Sequence, residues 1–222
     1  MEANSRVTIR LTGYLSLIQS GIFLLGMVFY IMFLLPITFD LGVVSVDQIG
    51  IILDHKNMLQ SFYGMTYIVF SVLLLFLNSA LCRDCPNQVL TSITRHFGIV
   101  WSVLLLCSGL FVITSFEYIA LADVENSIKM STLAIANLMM EALGGGNELI
   151  GGLWVGSMSI ILRKAFYIGR TQWLLGLVIG GIGVITVFPK LSELGAFFGI
   201  GMIIWFAALG VTKLKPGERL YV

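Results

Sequence analysis

Charge is scarce in this sequence of 222 residues. Only 11% of the residues are Asp, Glu, Lys or Arg, whereas 58% are hydrophobic, and an ordinary soluble domain is charged at about 25% of its positions. A soluble fold of this length needs more polar surface than the chain supplies. Apolar runs of about 20 residues recur along its whole length, which is typical of membrane-crossing helices. The sequence therefore predicts an all-α integral membrane protein with the lipid bilayer around it.

Cysteine and histidine are rare too, with three copies and two copies. Three cysteines are too few for a disulfide framework, and two histidines exclude a histidine-rich metal or haem site within the membrane. Cys82 and Cys85 have C-x-x-C spacing on the expected cytoplasmic side, where thiols stay reduced. We interpret them as two incidental thiols, with a redox pair as the alternative. No cofactor is expected.

Motifs of enzyme chemistry are missing. The sequence has no G-x-S-x-G, no H-E-x-x-H and no phosphate-binding glycine loop. Its basic residues are scattered and not clustered, so nucleic-acid binding has no support. We therefore expect that the protein is not an enzyme and does not bind nucleic acid.

Six apolar stretches are long enough to be interpreted as membrane spans, at about residues 11–35, 61–81, 97–121, 147–162, 172–189 and 194–211. With a cytoplasmic N-terminus, ten of the 13 basic residues fall in cytoplasmic segments, and basic residues favour that side. Only Lys56, Lys129 and Lys190 fall outside. The sequence predicts a multi-pass protein of the cell inner membrane with both termini in the cytoplasm.

The segment between spans three and four is too polar to cross the membrane comfortably. Ser127, Ser131, Asn137 and Glu141 recur at helical spacing, while Ile128 and other apolar residues point the other way. This pattern predicts an amphipathic helix over about 126–143 that lies in the outer interface or dips back into the bundle. Glycines 144–146 would end it.

Glycine is concentrated in the second half, which holds 16 of the 24 copies from Gly144 onward. Small residues four apart let helices approach closely within lipid, where no hydrophobic drive holds them together. Three such pairs predict helix packing in a tight bundle: Gly152 with Gly156, Gly176 with Gly180, and Gly195 with Gly199. The alternative is a mobile, transporter-like half.

Acidic residues supply the candidate site. Glu117 is the only acid inside an apolar run, and an acid at membrane depth suggests a function by default. The topology places Glu141, Asn147 and Glu148 at the same outer level, where all four residues could converge on a cation or a proton. Two alternatives remain open: Glu117 extends to the headgroups, and Asn147 and Glu148 merely cap the next helix. The identity of any metal is unknown.

The second half also carries a resemblance. It combines the amphipathic segment with GGGNELIGGLW, with a span that ends in SIILRKAFYIGR, and with the glycine-rich LLGLVIGGIGVI. Over about 126–189 it resembles an uncharacterised bacterial family of six-span inner-membrane proteins. The resemblance implies a fold and a location, but no activity.

Two functions follow from these observations. The preferred interpretation is a partner, regulatory or accessory subunit, which the missing motifs, short loops and packing glycines favour; other membrane proteins or further copies of the chain would be its partners. The alternative is a small ion- or proton-coupled transporter or channel that uses the outer acids. The inner half of the third span offers few polar side chains, which argues against a pore.

Overall fold

The computed structural model describes residues 2–34, 45–83, 85, 88–145 and 148–215, with side chains from residue 9 onward. Within these ranges all regular structure is helical, which confirms the all-α class. The α-helices are α1 (Glu2–Phe29), α2 (Val46–Asp54), α3 (Lys56–Tyr63), α4 (Phe70–Arg83), α5 (Val89–Leu121), α6 (Asn126–Met140), α7 (Leu149–Lys164), α8 (Arg170–Ile185) and α9 (Gly195–Leu214). Short π-helical segments occupy Tyr30–Leu34, Gly64–Val69 and Glu141–Gly145, and a 3₁₀ segment occupies Pro189–Leu194.

Four helical stretches in the described part of the chain are long and apolar enough to cross a membrane: Ile9–Leu34, Lys56–Arg83, Val89–Leu121 and Pro189–Leu214. Two of them join an α-helix to a π-helical segment without a break. The helices α7 and α8 have 16 residues each, so each is about 24 Å long and shorter than the roughly 30 Å hydrocarbon core. By length and composition, the four long stretches indicate a membrane protein.

The helices alternate in direction, so their ends meet in two groups. Gly13 near the start of α1 lies against Leu214 at the end of α9, because a Cβ added to Gly13 would be 2.7 Å from the Leu214 Cγ. The start of α3 meets the end of α5 on the other side, where Lys56 bonds Glu117. We call this second side, from which α6 continues, the α6 end of the bundle.

Tryptophans from three helices meet at the centre of the bundle. The ring of Trp154 on α7 is 5.6 Å from Trp101 on α5 and 5.8 Å from Trp205 on α9. All three rings are buried. The Trp154 Nε1 donates to the Asn78 Oδ1 at 2.9 Å, and the Trp205 Nε1 donates to the Ser159 Oγ at 3.0 Å. These two hydrogen bonds of buried indole groups fix the register of α7 against α4 and α9, whereas the Trp101 Nε1 has no partner among the described residues.

Glycines bring α7 and α8 into backbone contact. A Cβ added to Gly152 would lie 2.6 Å from the carbonyl oxygen of Gly180, and one added to Gly180 would lie 2.8 Å from the carbonyl oxygen of Gly152. At Gly176 an added Cβ would overlap the Ser159 hydroxyl. Such approaches are possible only without side chains.

The other three glycines chosen from the sequence have more room. An added Cβ at Gly156 would meet nothing closer than 3.8 Å, and one at Gly195 would meet nothing within 4 Å. At Gly199 the nearest atom would be the Met27 Cε on α1, at 3.3 Å. Of the six glycines chosen from the sequence, those that close packing requires are therefore Gly152, Gly176 and Gly180.

The helices α2 and α6 lie side by side at the α6 end of the bundle. Helix α2 was not predicted, although Ser45 and Gln48 form a capping box before the buried Ile49 and Ile52, a pattern that marks a helix start. Helix α6 packs on α5 through Leu133 and its neighbour Ala136. Ser127 was expected on the polar face of α6 and Ile128 on its apolar face. Both residues are exposed. The buried stripe thus lies between the two expected faces.

Candidate functional site

The predicted outer acids separate into two locations. Glu117 accepts hydrogen bonds from the Lys56 Nζ at 2.8 Å and from the Gln60 Nε2 at 3.1 Å. Both side chains of the ion pair are partly exposed, Lys56 by 22% and Glu117 by 44%. The Glu117 carboxylate is therefore already neutralised by α3, and it does not line the cavity described next.

Glu141 and Glu148 line the wall of a cavity of about 610 Å³ at the α6 end. The cavity lies between the second half of α1, the α3 region, the middle of α5 and the start of α9. Its described lining residues are Ile22, Phe23, Gly26, Met27, Tyr30, Ile31, Leu34, Phe62, Tyr63, Thr66, Tyr67, Phe70, Trp101, Leu105, Met140, Glu141, Glu148, Ser192, Glu193, Gly195, Ala196, Gly199 and Ile200. Asn147 lies outside the described residues.

Backbone contacts hold Glu148 where α7 meets α8. Its N–H donates to the Thr186 Oγ1 at 2.8 Å, and Thr186 in turn donates to the carbonyl of Gly183 at 2.7 Å. Its own carbonyl accepts the N–H of Gly152 at 2.7 Å. Among the described residues, no donor or basic side chain reaches the Glu148 carboxylate. The alternative in which the Glu148 side chain caps the next helix is therefore wrong, since Glu148 begins α7 without a side-chain capping hydrogen bond and its carboxyl lines the cavity.

Tyr67 lines the same cavity as Glu141 and Glu148. Its ring centroid is 5.6 Å from that of Tyr63, which also lines the cavity. Burial raises the pKa of the Glu141 carboxyl above its ordinary value, because a low-dielectric surrounding disfavours the charged form. Carboxyl and tyrosine side chains are therefore present in a lining that is mainly apolar.

All three π-helical segments border this cavity. Tyr30–Leu34 contributes Tyr30, Ile31 and Leu34, Gly64–Val69 contributes Thr66 and Tyr67, and Glu141–Gly145 contributes Glu141. A π-helical turn widens the helix at a cost and is frequent at functional sites. The coincidence of the three segments at one cavity marks this part of the bundle as more than a packing defect.

The deep wall of the cavity is aromatic. Phe70 and Trp101 line it and pack edge to face, with ring centroids 5.9 Å apart. Behind them lies the tryptophan cluster, since Trp101 also contacts Trp154 and Phe198. The described lining thus closes the cavity with large rings at the middle of the bundle.

Sequence reasoning missed the tyrosines of this site. From the sequence we assigned no role in a site to Tyr30, Tyr63 or Tyr67. Tyr63 and Tyr67 are four residues apart, which places them on one face of a helix. This spacing, together with the acids predicted at the same level, is the sequence pattern that could have indicated the site.

Metal ligands do not cluster in the described residues, where no group of three or more His, Cys, Asp or Glu side chains could hold an ion. Cys82 and Cys85 are both buried and unbridged, and the Cys82 Sγ donates to the Asn78 Oδ1 at 3.7 Å.

No family model matches the chain, and no curated protein or solved structure matches it either. A function for this protein must therefore be inferred from its cavity.

Proposed function

We propose that the protein is a non-enzymatic membrane protein that binds a small molecule in the cavity at the α6 end, as a regulatory or accessory subunit would. The observation that carries the proposal is the cavity itself, which has a volume of about 610 Å³ and is lined by aromatic rings and three carboxyl groups. Small-molecule sites have volumes of roughly 300–1,000 Å³ and combine an apolar lining with a few polar groups. Its position beside three π-helical segments supports a functional role.

The proposal includes six membrane spans, both termini in the cytoplasm of a bacterial cell, and membership of the six-span family that the second half of the chain resembles. The basic residues support this orientation. Helix α7 supports the span count, because Trp154, Val155 and Met158 are fully buried and α7 therefore runs through the bundle, not along its surface.

A second candidate function is transport of the bound molecule. The Glu148 carboxylate favours it, since a partly buried acid without a protein donor can exchange a proton for a cation. Transport would require the aromatic wall at Phe70 and Trp101 to open, which a channel of fixed shape could not do. We therefore propose a carrier, and not a pore, as the form that transport would take.

The test is whether water-soluble reagents reach the cavity. In a variant with its three cysteines replaced by alanine, Thr66→Cys would place a thiol in the cavity wall, whereas Val69→Cys would place one on the exposed face of the same π-helical segment. Maleimides react with the thiolate, which needs water. In lipid nanodiscs, Thr66→Cys should label and Val69→Cys should not.

A third variant tests whether the cavity itself gives access to the Thr66→Cys thiol. Ala196 lines the cavity, so Ala196→Trp should fill it and slow the labelling of Thr66→Cys, while Ala120→Trp on the exposed surface of α5 should not. If Thr66→Cys labels no faster than Val69→Cys, the cavity is not a solvent-accessible site and the proposed function is wrong.

A further inference from the structure

We infer that the cavity binds an uncharged, mainly apolar molecule whose carbonyl oxygen accepts a hydrogen bond from the indole N–H of Trp101. The inference deepens the proposed function and rests on it, because it names the class of molecule that the cavity binds. It starts from a difference among the three tryptophans at the centre of the bundle.

One of these three tryptophans differs from the other two in both its location and its hydrogen bonding. The Nε1 groups of Trp154 and Trp205 donate to the Asn78 Oδ1 and the Ser159 Oγ, and neither ring belongs to the described cavity lining. Trp101 does belong to that lining, and its Nε1 is buried without an acceptor in the described part of the chain. The missing acceptor and the cavity therefore coincide at one side chain.

The Trp101 ring is held in place by its neighbours. Its centroid is 5.9 Å from that of Phe70, 5.6 Å from that of Trp154 and 6.4 Å from that of Phe198. A Cβ added to Gly151 would be 2.8 Å from the Trp101 Cε2, the carbon that carries Nε1. An indole N–H can only donate, and a buried donor without an acceptor is unfavourable. A bound molecule with an acceptor oxygen would remove this cost without a rearrangement of the rings.

The acceptor should carry no charge. The described lining residues include no Lys, Arg or His, and the side chains beside Trp101 in the deep wall are apolar, among them Phe23, Phe70 and Leu105. A carboxylate or phosphate oxygen would be buried there without a counter-charge, which is costly. The carbonyl oxygen of a ketone, an ester or a quinone accepts a hydrogen bond and is neutral.

A hydroxyl group fits this wall less well than a carbonyl group. Its O–H would bring a second donor, and the side chains of Phe23, Phe70 and Leu105 have no acceptor for it. The other buried side-chain atom that lacks a partner in the described residues is the Gln19 Oε1, and Gln19 does not belong to the described lining. The wall therefore favours an oxygen that only accepts.

The rest of the molecule should be apolar and can arrive from the bilayer. Ile31 and Ile200 line the cavity and are still 55% and 45% exposed, so the cavity reaches the surface of the bundle between them. Both residues belong to stretches that are long and apolar enough to cross a membrane. A lipophilic ketone, ester or quinone that is dissolved in the bilayer would enter here, and burial of its apolar surface would favour binding.

The experiment compares four molecules with the same alkyl chain. Thr66→Cys protein in nanodiscs is incubated with 2-undecanone, undecane, 2-undecanol or 1-undecanesulfonate at equal mole fractions in the lipid, and protection of the thiol from maleimide reports occupancy. The last three lack the acceptor, add a donor or add a charge. The ketone should protect in a saturable way at a mole fraction about fivefold lower than undecane requires, which corresponds to the net contribution of one hydrogen bond.

A pair of variants tests whether Trp101 is the donor. Trp101→Phe keeps an aromatic ring but removes the N–H, so the advantage of 2-undecanone over undecane should fall from about fivefold to none. Phe70→Leu changes the same wall without removing a donor. It should weaken protection by both molecules alike and keep the fivefold advantage.

A second measurement does not require a variant of Trp101. The chain has four tryptophans, and nuclear magnetic resonance of the protein with ¹⁵N-labelled indoles reports each N–H. A hydrogen bond moves an indole proton to lower field. We expect 2-undecanone, but not undecane, to move one of the four signals in this direction. Thermal melts verify that each variant is folded, and the indole signals decide if Trp101→Phe is not.

The outcomes separate this inference from the proposed function. Equal protection by 2-undecanone and undecane, or a fivefold advantage that persists in Trp101→Phe, would overturn the hydrogen bond and leave the binding cavity in place. Stronger protection by 2-undecanol or 1-undecanesulfonate than by the ketone would overturn the ligand class. If Thr66→Cys is never labelled, the proposed function is wrong, and the inference that rests on it is wrong too.

Discussion

Two glutamates that the sequence places at the same outer level have opposite surroundings in the folded chain. Glu117 has an ammonium and an amide donor within 3.1 Å, whereas the Glu148 carboxylate has neither among the described residues. An ion pair with exposed members contributes little to stability, so Glu117 is a structural surface group. The Glu148 carboxylate instead lines the cavity. At the scale of single residues, this difference distinguishes the site.

Glu141, which lines the cavity with Glu148, gives a pH dependence. Burial raises its carboxyl pKa above the ordinary value of 4.5, so the folded state keeps this proton at pH values where the unfolded state has lost it. Stability from this group is therefore greatest at low pH, falls as the pH rises from about 4.5, and levels off above the raised pKa.

Glu141→Gln removes that titration, and we expect a flatter profile of melting temperature against pH than in the wild type. Melts in detergent from pH 4.5 to 8.5 measure it, with the other titratable groups that line the cavity, Glu148, Glu193 and the three tyrosines, kept unchanged. Parallel profiles for the two proteins would show that Glu141 titrates alike in both states and would contradict the prediction.

At this scale the sequence predicted which level of the bundle the acids occupy, but not their partners. Charge counting places Glu117 and Glu148 at one end because it needs only the order of the spans. The pairing of Glu117 with Lys56, 61 residues earlier, depends on how α3 leans on α5. No local pattern encodes that geometry.

Helices α7 and α8 pack backbone to backbone where they cross. The sequence indicated this contact through small residues four apart, and backbone atoms of Gly152 and Gly180 do meet there. It could not say which member of each pair touches the partner, because that depends on the rotation of each helix about its axis. Gly156 and Gly152 are equivalent in the sequence pattern but not in the structure.

This difference gives a matched pair of substitutions. Gly152→Ala puts a methyl group 2.6 Å from the carbonyl oxygen of Gly180, so α7 and α8 must separate. Overpacking of this kind costs about 1–3 kcal/mol. Gly156→Ala puts its methyl group 3.8 Å from the nearest atom, so it should be neutral or slightly stabilising, because alanine favours the helix by up to about 1 kcal/mol.

Thermal melts of both variants and of the wild type in the same detergent measure the difference. A lower melting temperature for Gly152→Ala alone is expected. If both alanines are tolerated equally, the backbone contact between α7 and α8 is looser than the structure indicates.

The capping box before α2 shows why short elements were overlooked at this scale. Ser45 and Gln48 carry the signal, but the surrounding stretch was interpreted only as a loop between spans. Membrane spans are recognised by length and hydropathy, and a helix of nine residues has neither. Its packing through Ile49 and Ile52 becomes evident only when α5 and α6 are placed beside it.

For the whole molecule, the critical question is whether α7 and α8 cross the membrane. Each is 16 residues long, too short to span a bilayer core comfortably when straight. With six spans, the turn between them lies in the cytoplasm with Arg163, Lys164 and Arg170. With four spans, α7 and α8 would form a re-entrant hairpin, and the same turn would stop at membrane depth or on the outer side.

The three basic residues of this turn lead us to expect six spans. A turn with three of them would be expensive to place inside the bilayer, and they favour the cytoplasmic side. A slightly thinned bilayer accommodates short helices at modest cost. We therefore predict six spans, with Lys129 and Lys190 outside the cell and Arg170 in the cytoplasm.

Single cysteines at these three positions of the cysteine-free chain test the prediction. An impermeant maleimide added to intact cells should label Lys129→Cys and Lys190→Cys at once, but Arg170→Cys only after the cells are permeabilised. A reporter fused after Val222 should be cytoplasmic in either arrangement, so it checks the orientation and not the span count. Labelling of Arg170→Cys in intact cells, or its failure to label after permeabilisation, would instead indicate the re-entrant hairpin, and the bundle would then cross the membrane four times.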